Sequence, residues 1–326
     1  MNEHRTPPKV GFRNGGVGLS ALCYSGIRNV RAVNFARFAE TKHEEEIAVP
    51  ATIERVLTDE QKAQFEREGY LIIRGLLSKE EAKTIRDAFM QMNEAGPVPG
   101  LSEINPNYRP EDPLSFYPRM MHPHHHPELP VGDLAMRYML DPRFQSVLVE
   151  LNGEEVVAAQ SMFYFKPPGA RGQDLHQDNF YLRVSPGSCM AAWVAIDDVD
   201  KENGGMMVVP GSHTLDIVCP SKADTSVSFT TDHVDVPEGM HTQDANMKAG
   251  DVLFFNGSVI HGSYPNTSTE RFRCAFICHY LPRHSETVSG GYHPIYTFDQ
   301  ESVQIPHAQG GGVCGTPDFG DNPPAF

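Results

Sequence analysis

The chain has 326 residues, 40% of them apolar, enough to bury one large core or two small ones. A formal charge of −15 excludes general affinity for nucleic acid or anionic membranes, because phosphate binding needs a basic field. No apolar run is long enough to suggest a membrane span. The six cysteines (Cys23, Cys189, Cys219, Cys274, Cys278, Cys314) are scattered without a Cys-X-X-Cys pair. Cys274 and Cys278 share strand parity, as small buried apolar side chains would, so free thiols in a reducing, cytoplasmic setting are expected.

Residues 1–50 carry arginines at 5, 13, 28, 31 and 37 and few acids before Glu40. An organelle transit segment has such a composition, but the expectation is a poorly ordered N-terminal extension. From Thr58 the pattern tightens. Thr58-Asp59-Glu60-Gln61 has capping-box form and opens a helix to about Glu68, where Gly69 stops it. Tyr70 to Arg74 reads as a strand. Ser78-Lys79-Glu80-Glu81 is a second capping box, opening a helix with Ala82, Ile85, Phe89 and Met92 on one face. Gly96 ends that helix, and Pro97, Pro99 and Gly100 begin a long loop. His122, His124, His125 and His126 follow within the run Tyr117–Pro127. Its prolines break regular structure and no carboxylate or thiolate accompanies the imidazoles, so a loop near a pocket mouth is expected rather than a metal site. Arg119 is its residue placed to reach a ligand. Asp141-Pro142 predicts a third helix, ending at Asn152-Gly153.

Beyond Glu154 strands dominate, at about 155–166, 174–184, 189–197, 205–210, 251–255, 259–262 and 271–281. Gly/Pro turns punctuate them, which predicts a mainly β jelly roll, with the early helices packed on one sheet. On strand 189–197, Met190, Ala192, Val194 and Ile196 alternate with Ala191, Trp193 and Ala195, so one set lines the core and the other a pocket wall. Residues 218–249 are polar and irregular, as a lid or a mobile loop would be. The organisation expected is an extension over 1–50, a catalytic domain over 51–285, and a Gly-rich tail over 286–326 that wraps the domain without a core of its own.

The chemistry concentrates at two places. His176 and Asp178 lie two residues apart, so on one strand both would project from the same face. An apolar run from Val252 ends in His261. Two imidazoles and a carboxylate on one side of a metal, with the other positions open, form the facial triad of non-haem iron(II) oxygenases. About a dozen residues on, Arg271 and Arg273 share strand parity, and either guanidinium could hold a carboxylate through two parallel hydrogen bonds.

His176-Gln177-Asp178, Trp193, Val209-Pro210-Gly211-Ser212-His213, His261-Gly262-Ser263 and Arg273 with Cys278-His279-Tyr280 resemble the phytanoyl-CoA dioxygenase family of Fe(II)- and 2-oxoglutarate-dependent oxygenases. The early block Gly69–Ser78 resembles the family's first strand and helix cap, and the likeness runs from about residue 58 to 282. It implies a cupin-like double-stranded β-helix, with Fe(II) on His176, Asp178 and His261, and with 2-oxoglutarate and O2 as cosubstrates, supported by ascorbate. It further implies that Arg273 holds the far carboxylate of 2-oxoglutarate, with Ser263, Trp193, Met162 and Lys166 beside the cosubstrate; Gln177 and Arg119 complete the expected binding set. The activity implied is hydroxylation of an unactivated C–H bond of a small or medium metabolite, with release of succinate and CO2. Asp178 supplies the carboxylate that related halogenases lack, which disfavours halogenation. Two other readings compete: a jelly-roll metalloenzyme that does not use 2-oxoglutarate, and a non-catalytic member that binds metal or a small molecule. A small-molecule partner is expected. Substrate and oligomeric state are not legible.

Overall fold

Both capping boxes form. Thr58 accepts from the backbone N–H of Gln61 while the Gln61 side chain accepts from that of Thr58, starting α1 (Asp59–Glu68). Gly69, at φ 78°, ends it, and a Cβ there would strike His213 and Val259. After β1 (Tyr70–Ile73), Ser78 and Glu81 repeat the reciprocal cap for α2 (Lys79–Glu94). The chain then forms α3 (Pro113–Phe116), β2 (Met120–Met121), α4 (Pro130–Met139) and α5 (Pro142–Asn152), the last capped by Asp141. The computed structural model describes residues 56–103, 108 and 111–315; the expectations for residues 1–50 lie outside them.

The β portion comprises β3 (Val156–Tyr164), β4 (Gln173–His176), β5 (Met190–Ala195), β6 (Met206–Val208), β7 (Ser221–Lys222) and β8 (Asp232–His233). It continues with β9 (Gln243–Ala245), β10 (Val252–Asn256), β11 (His261–Ser263), β12 (Ala275–Pro282), β13 (Ile295–Tyr296) and β14 (Ser302–Val303). A major antiparallel sheet runs β1-β10-β5-β12-β3-β13-β14, with β2 also on β3, and a minor sheet runs β4-β11-β6-β9. This is the expected cupin-like jelly roll, without a closed barrel.

The alternation on β5 resolves as the sequence requires. Met190, Ala192, Val194 and Ile196 join Ile85 and Phe89 of α2, Tyr138 of α4 and Phe144 of α5 in the core under the helices. Ala191, Trp193 and Ala195 face the other way, towards Met206 and Val208 of the minor sheet. On β3 the parity changes part-way. His279 of β12 pairs with Gln160 but Tyr280 pairs with Ala158, leaving Ala159 as an extra residue. Ala158 therefore packs under the helices, and so does Phe163, whereas Met162 and Tyr164 turn to the space between the sheets.

Four expectations are corrected. The strand read through 184 stops at His176, and after Gln177 the chain turns into a short helix α6 (Asp178–Leu182). The long segment 218–249 is not a free lid: Val234 donates to the Leu175 carbonyl at 2.9 Å and Tyr181 donates to Asp232 at 2.6 Å. The tail does add a core. Val288, Tyr292, Ile295, Val303 and Ile305 pack with Val157, Ala159 and Leu281 in a third buried cluster. Finally, Cys219 and Cys314 form a disulfide with a Cα–Cα distance of 5.4 Å. Their separation of 95 residues left no local spacing to read. Cys189, Cys274 and Cys278 are free and buried, as expected for the last two.

Candidate active site

His176 ends β4 and His261 begins β11, and the two are direct partners in the antiparallel ladder between those strands. The backbone register thus sets their spacing, with ring centroids 4.2 Å apart. Gly262 makes the approach possible, since a Cβ there would lie 2.8 Å from the Gln173 carbonyl oxygen. Asp178 comes from the first turn of α6, so the carboxylate reaches the imidazoles through a chain reversal instead of strand alternation. Its Oδ1 lies 3.5 Å from His176 Nε2 and 3.6 Å from His261 Nε2. One ligand atom from each of the three residues falls within 4.8 Å of the others, and all three residues are buried.

The outer nitrogens are fixed. His176 Nδ1 donates to the Asp174 carbonyl at 2.9 Å and His261 Nδ1 to the Val259 carbonyl at 3.0 Å. Both rings therefore turn an Nε2 lone pair inward, as ligating imidazoles do. Burial lowers the His261 pKa to about 4, which keeps this ring neutral at physiological pH. Burial pushes the Asp178 carboxyl up, but attraction from the surrounding imidazoles, His261 and His279 foremost, and the hydrogen bond from His279 prevail and hold it well below its usual range. A second rank backs the carboxylate: His279 Nε2 is 3.0 Å from Asp178 Oδ2, and His279 Nδ1 is 2.8 Å from Gln160 Oε1. Two imidazoles, one carboxylate and a cavity on the open side fit a ferrous ion.

The same cavity holds a cationic end. Arg273 is only 1% exposed; its Nε donates to the Gly204 carbonyl at 3.0 Å, and its guanidinium lies over the Trp193 ring at 5.3 Å. Its Nη1 is buried without a hydrogen-bond partner among the described residues. Burial lowers the Arg273 pKa to about 10, so it remains charged at pH 7. Lys166, equally buried, donates from Nζ to Ser263 Oγ and the Tyr264 carbonyl, each at 2.7 Å. A buried guanidinium with a spare N–H, and no carboxylate hydrogen-bonded to it among the described residues, fits the far carboxylate of 2-oxoglutarate.

Of the residues read from sequence, the structure gathers His176, Asp178, His261, Met162, Trp193, Ser263 and Arg273 around one cavity. It places three elsewhere: Arg119, Gln177 and Lys166, the last reaching the lining only through its bond to Ser263. Arg119 is clamped by Glu103 at 2.5 and 2.7 Å and also donates to Tyr164 at 3.0 Å, so each of its three nitrogens already has a partner. Gln177 braces the backbone instead, donating to the Ser258 carbonyl and accepting from Val218, each at 2.8 Å. The rival Arg271 lies at the surface, paired with Asp200 and Glu202. Sequence reasoning missed Tyr164, Gln173, Phe255, Ile277 and the role of His279 as wall residues. His279 shares parity with Arg273 and Ile277, and that signal could have found it.

A family model described as Phytanoyl-CoA dioxygenase (PhyH) matches residues 65–275. Phytanoyl-CoA dioxygenase 1 of Oryza sativa subsp. japonica is 27% identical over 249 residues, covering 65% of this chain and 85% of the rice protein. Mouse peroxisomal phytanoyl-CoA dioxygenase is 28% identical over 246 residues, covering 69% of this chain and 68% of its own. Among solved structures, the non-haem alpha-ketoglutarate-dependent epimerase SnoN from nogalamycin biosynthesis superposes with a TM-score of 0.54 at 21% identity, covering 68% of this chain and 82% of its own. The carbocyclase SnoK from the same pathway gives 0.54 at 22% identity, covering 71% and 86%. At such identities the two structures speak for the fold.

Proposed function

The chain belongs to the phytanoyl-CoA dioxygenase family, and on that premise we propose that it is an Fe(II)- and 2-oxoglutarate-dependent hydroxylase of a small or medium metabolite. The observation that carries the reading is the pairing, in one cavity, of a buried His-Asp-His triad with the spare N–H of buried Arg273. His176, Asp178 and His261 would hold the iron, and Arg273 with Ser263 would hold the far carboxylate of 2-oxoglutarate. When bound, iron and 2-oxoglutarate together supply O2 activation, with loss of succinate and CO2. The chain's part is to position and enclose. Trp193 and Met162 wall the cosubstrate end, while Phe255 stacks obliquely on His261 at 4.4 Å and limits its motion. Burial of the triad keeps bulk water from competing for the open positions.

A second outcome at the same centre has some support, because the structural neighbours named as an epimerase and a carbocyclase share this fold. The test is a metabolite screen coupled to succinate production with Fe(II) and ascorbate, comparing the wild type with His176→Ala. Succinate that appears only with the wild type, and a product heavier by one oxygen atom, are expected. Absence of succinate from an iron-loaded chain, even without substrate, overturns the proposal. A product of unchanged oxygen content moves it to the second outcome.

A further inference from the structure

A different group of histidines lies at the edge of β3. His122, His124 and His125 occupy the one-turn 3-10 helix Pro123–His125 and the residue before it. Each offers a ring nitrogen within 4.8 Å of those of the other two. Ring centroids are 4.2, 4.9 and 5.8 Å apart. Pro123 stiffens the turn, and His122 adopts left-handed backbone at φ 51°, a conformation that non-glycine residues seldom take without a local reason.

The unsatisfied atoms are the informative ones. His122 Nδ1, His124 Nε2 and His125 Nε2 are buried without hydrogen-bond partners among the described residues. Buried polar atoms are rarely left so, and three in one cluster call for a common partner. The opposite nitrogens of two rings are already anchored: His124 Nδ1 lies 2.7 Å from Ser161 Oγ and His122 Nε2 lies 3.1 Å from the Gln160 amide. His124, with one anchored and one free nitrogen, has the arrangement of a ligating imidazole, and His122 reaches it when the Gln160 amide presents its oxygen instead of its NH2 to Nε2. Burial, followed by repulsion among the rings, holds all three below the ordinary histidine pKa, so they are neutral and able to ligate at pH 7. His124 is 3% exposed, and His125 is only partly buried, which leaves a way in from solvent.

We propose that His122, His124 and His125 form a second metal site, taking a borderline divalent cation such as Zn(II) through three imidazole nitrogens. Neutral imidazole suits zinc, copper or nickel, whereas calcium and magnesium demand oxygen. The nearest acid in sequence, Glu128, is engaged by His126 Nδ1 at 3.1 Å. The site is separate from the triad but joined to it by hydrogen bonds, from His122 through Gln160 and His279 to Asp178.

The test uses tag-free, full-length chain carrying His176→Ala and Asp178→Ala, which disables the triad. After dialysis against Zn(II), about one equivalent of zinc per chain is expected by elemental analysis, and Co(II) substitution is expected to give visible bands of a low-coordinate nitrogen site. Adding His124→Phe or His125→Gln is expected to weaken zinc binding by at least ~10–100-fold. If circular dichroism shows that His124→Phe does not fold, the partly exposed His125→Gln decides. Zinc retention near zero in the triad-disabled chain overturns the proposal. So does retention that neither histidine change alters.

Discussion

His176 and His261 face each other as register partners across two strands of the minor sheet. Their separation is therefore fixed by backbone hydrogen bonding, which leaves the site little freedom to relax when one imidazole is lost. His261→Ala is expected to reduce iron affinity by more than the ~10–100-fold typical of a supporting residue, and to abolish measurable succinate formation. Iron titration and succinate assay check this, with circular dichroism confirming that the sheet survives.

Arg273 is expected to separate charge from geometry. Truncation to alanine removes the buried guanidinium over Trp193 and should cost about 2–5 kcal/mol of cosubstrate binding, seen as a rise in the KM for 2-oxoglutarate. Arg273→Lys keeps the charge but loses the fork, so it should recover only part of the loss. If the far carboxylate binds elsewhere, both variants will leave that KM unchanged.

His279 holds Asp178 Oδ2 at 3.0 Å from behind, with its other nitrogen on Gln160. His279→Ala is expected to weaken iron binding by ~10–100-fold while leaving the KM for 2-oxoglutarate largely intact. A change in the KM alone would contradict this positioning role.

The metal-free chain should lose stability in acid through His122. Its pKa is lowered from 6.5 to about 3, chiefly by burial. Below pH 6.5 the unfolded chain takes up a proton that the folded chain refuses, so this contribution is complete above 6.5 and is lost as pH falls towards 3. Thermal melts with chelator between pH 7 and 4 should show a shallower decline for His122→Gln than for the wild type.

The capping boxes give a control remote from the chemistry. Thr58→Ala and Ser78→Ala should each lower stability by about 1 kcal/mol, read from urea unfolding, with no effect on succinate formation.

Much of this was legible because the physics is local. Caps, glycine stops and the alternation on β5 each involve a few neighbouring residues, and the triad announces itself because iron needs those ligand types. What stayed hidden depends on distant partners. Nothing near Arg119 reveals that Glu103 will occupy its guanidinium. Nothing near Cys219 points to Cys314. Helix α4 was readable in principle, since Pro130 opens it and Val131, Ala135, Tyr138 and Met139 share a buried face, yet the adjoining proline-rich run drew it into a presumed loop. The convergence of His122, His124 and His125 is likewise hidden, because it depends on the turn at Pro123 and on the packing of that turn against β3.

The Cys219–Cys314 bridge closes a covalent ring that contains β7 through β14, with His261, Ser263 and Arg273 inside it and His176 and Asp178 outside. A protease nick anywhere within that ring would leave both fragments travelling as one molecule on a non-reducing gel. Where the nick falls between Cys219 and His261, reductant alone would then allow the segment bearing His261 to part from the segment bearing its partner.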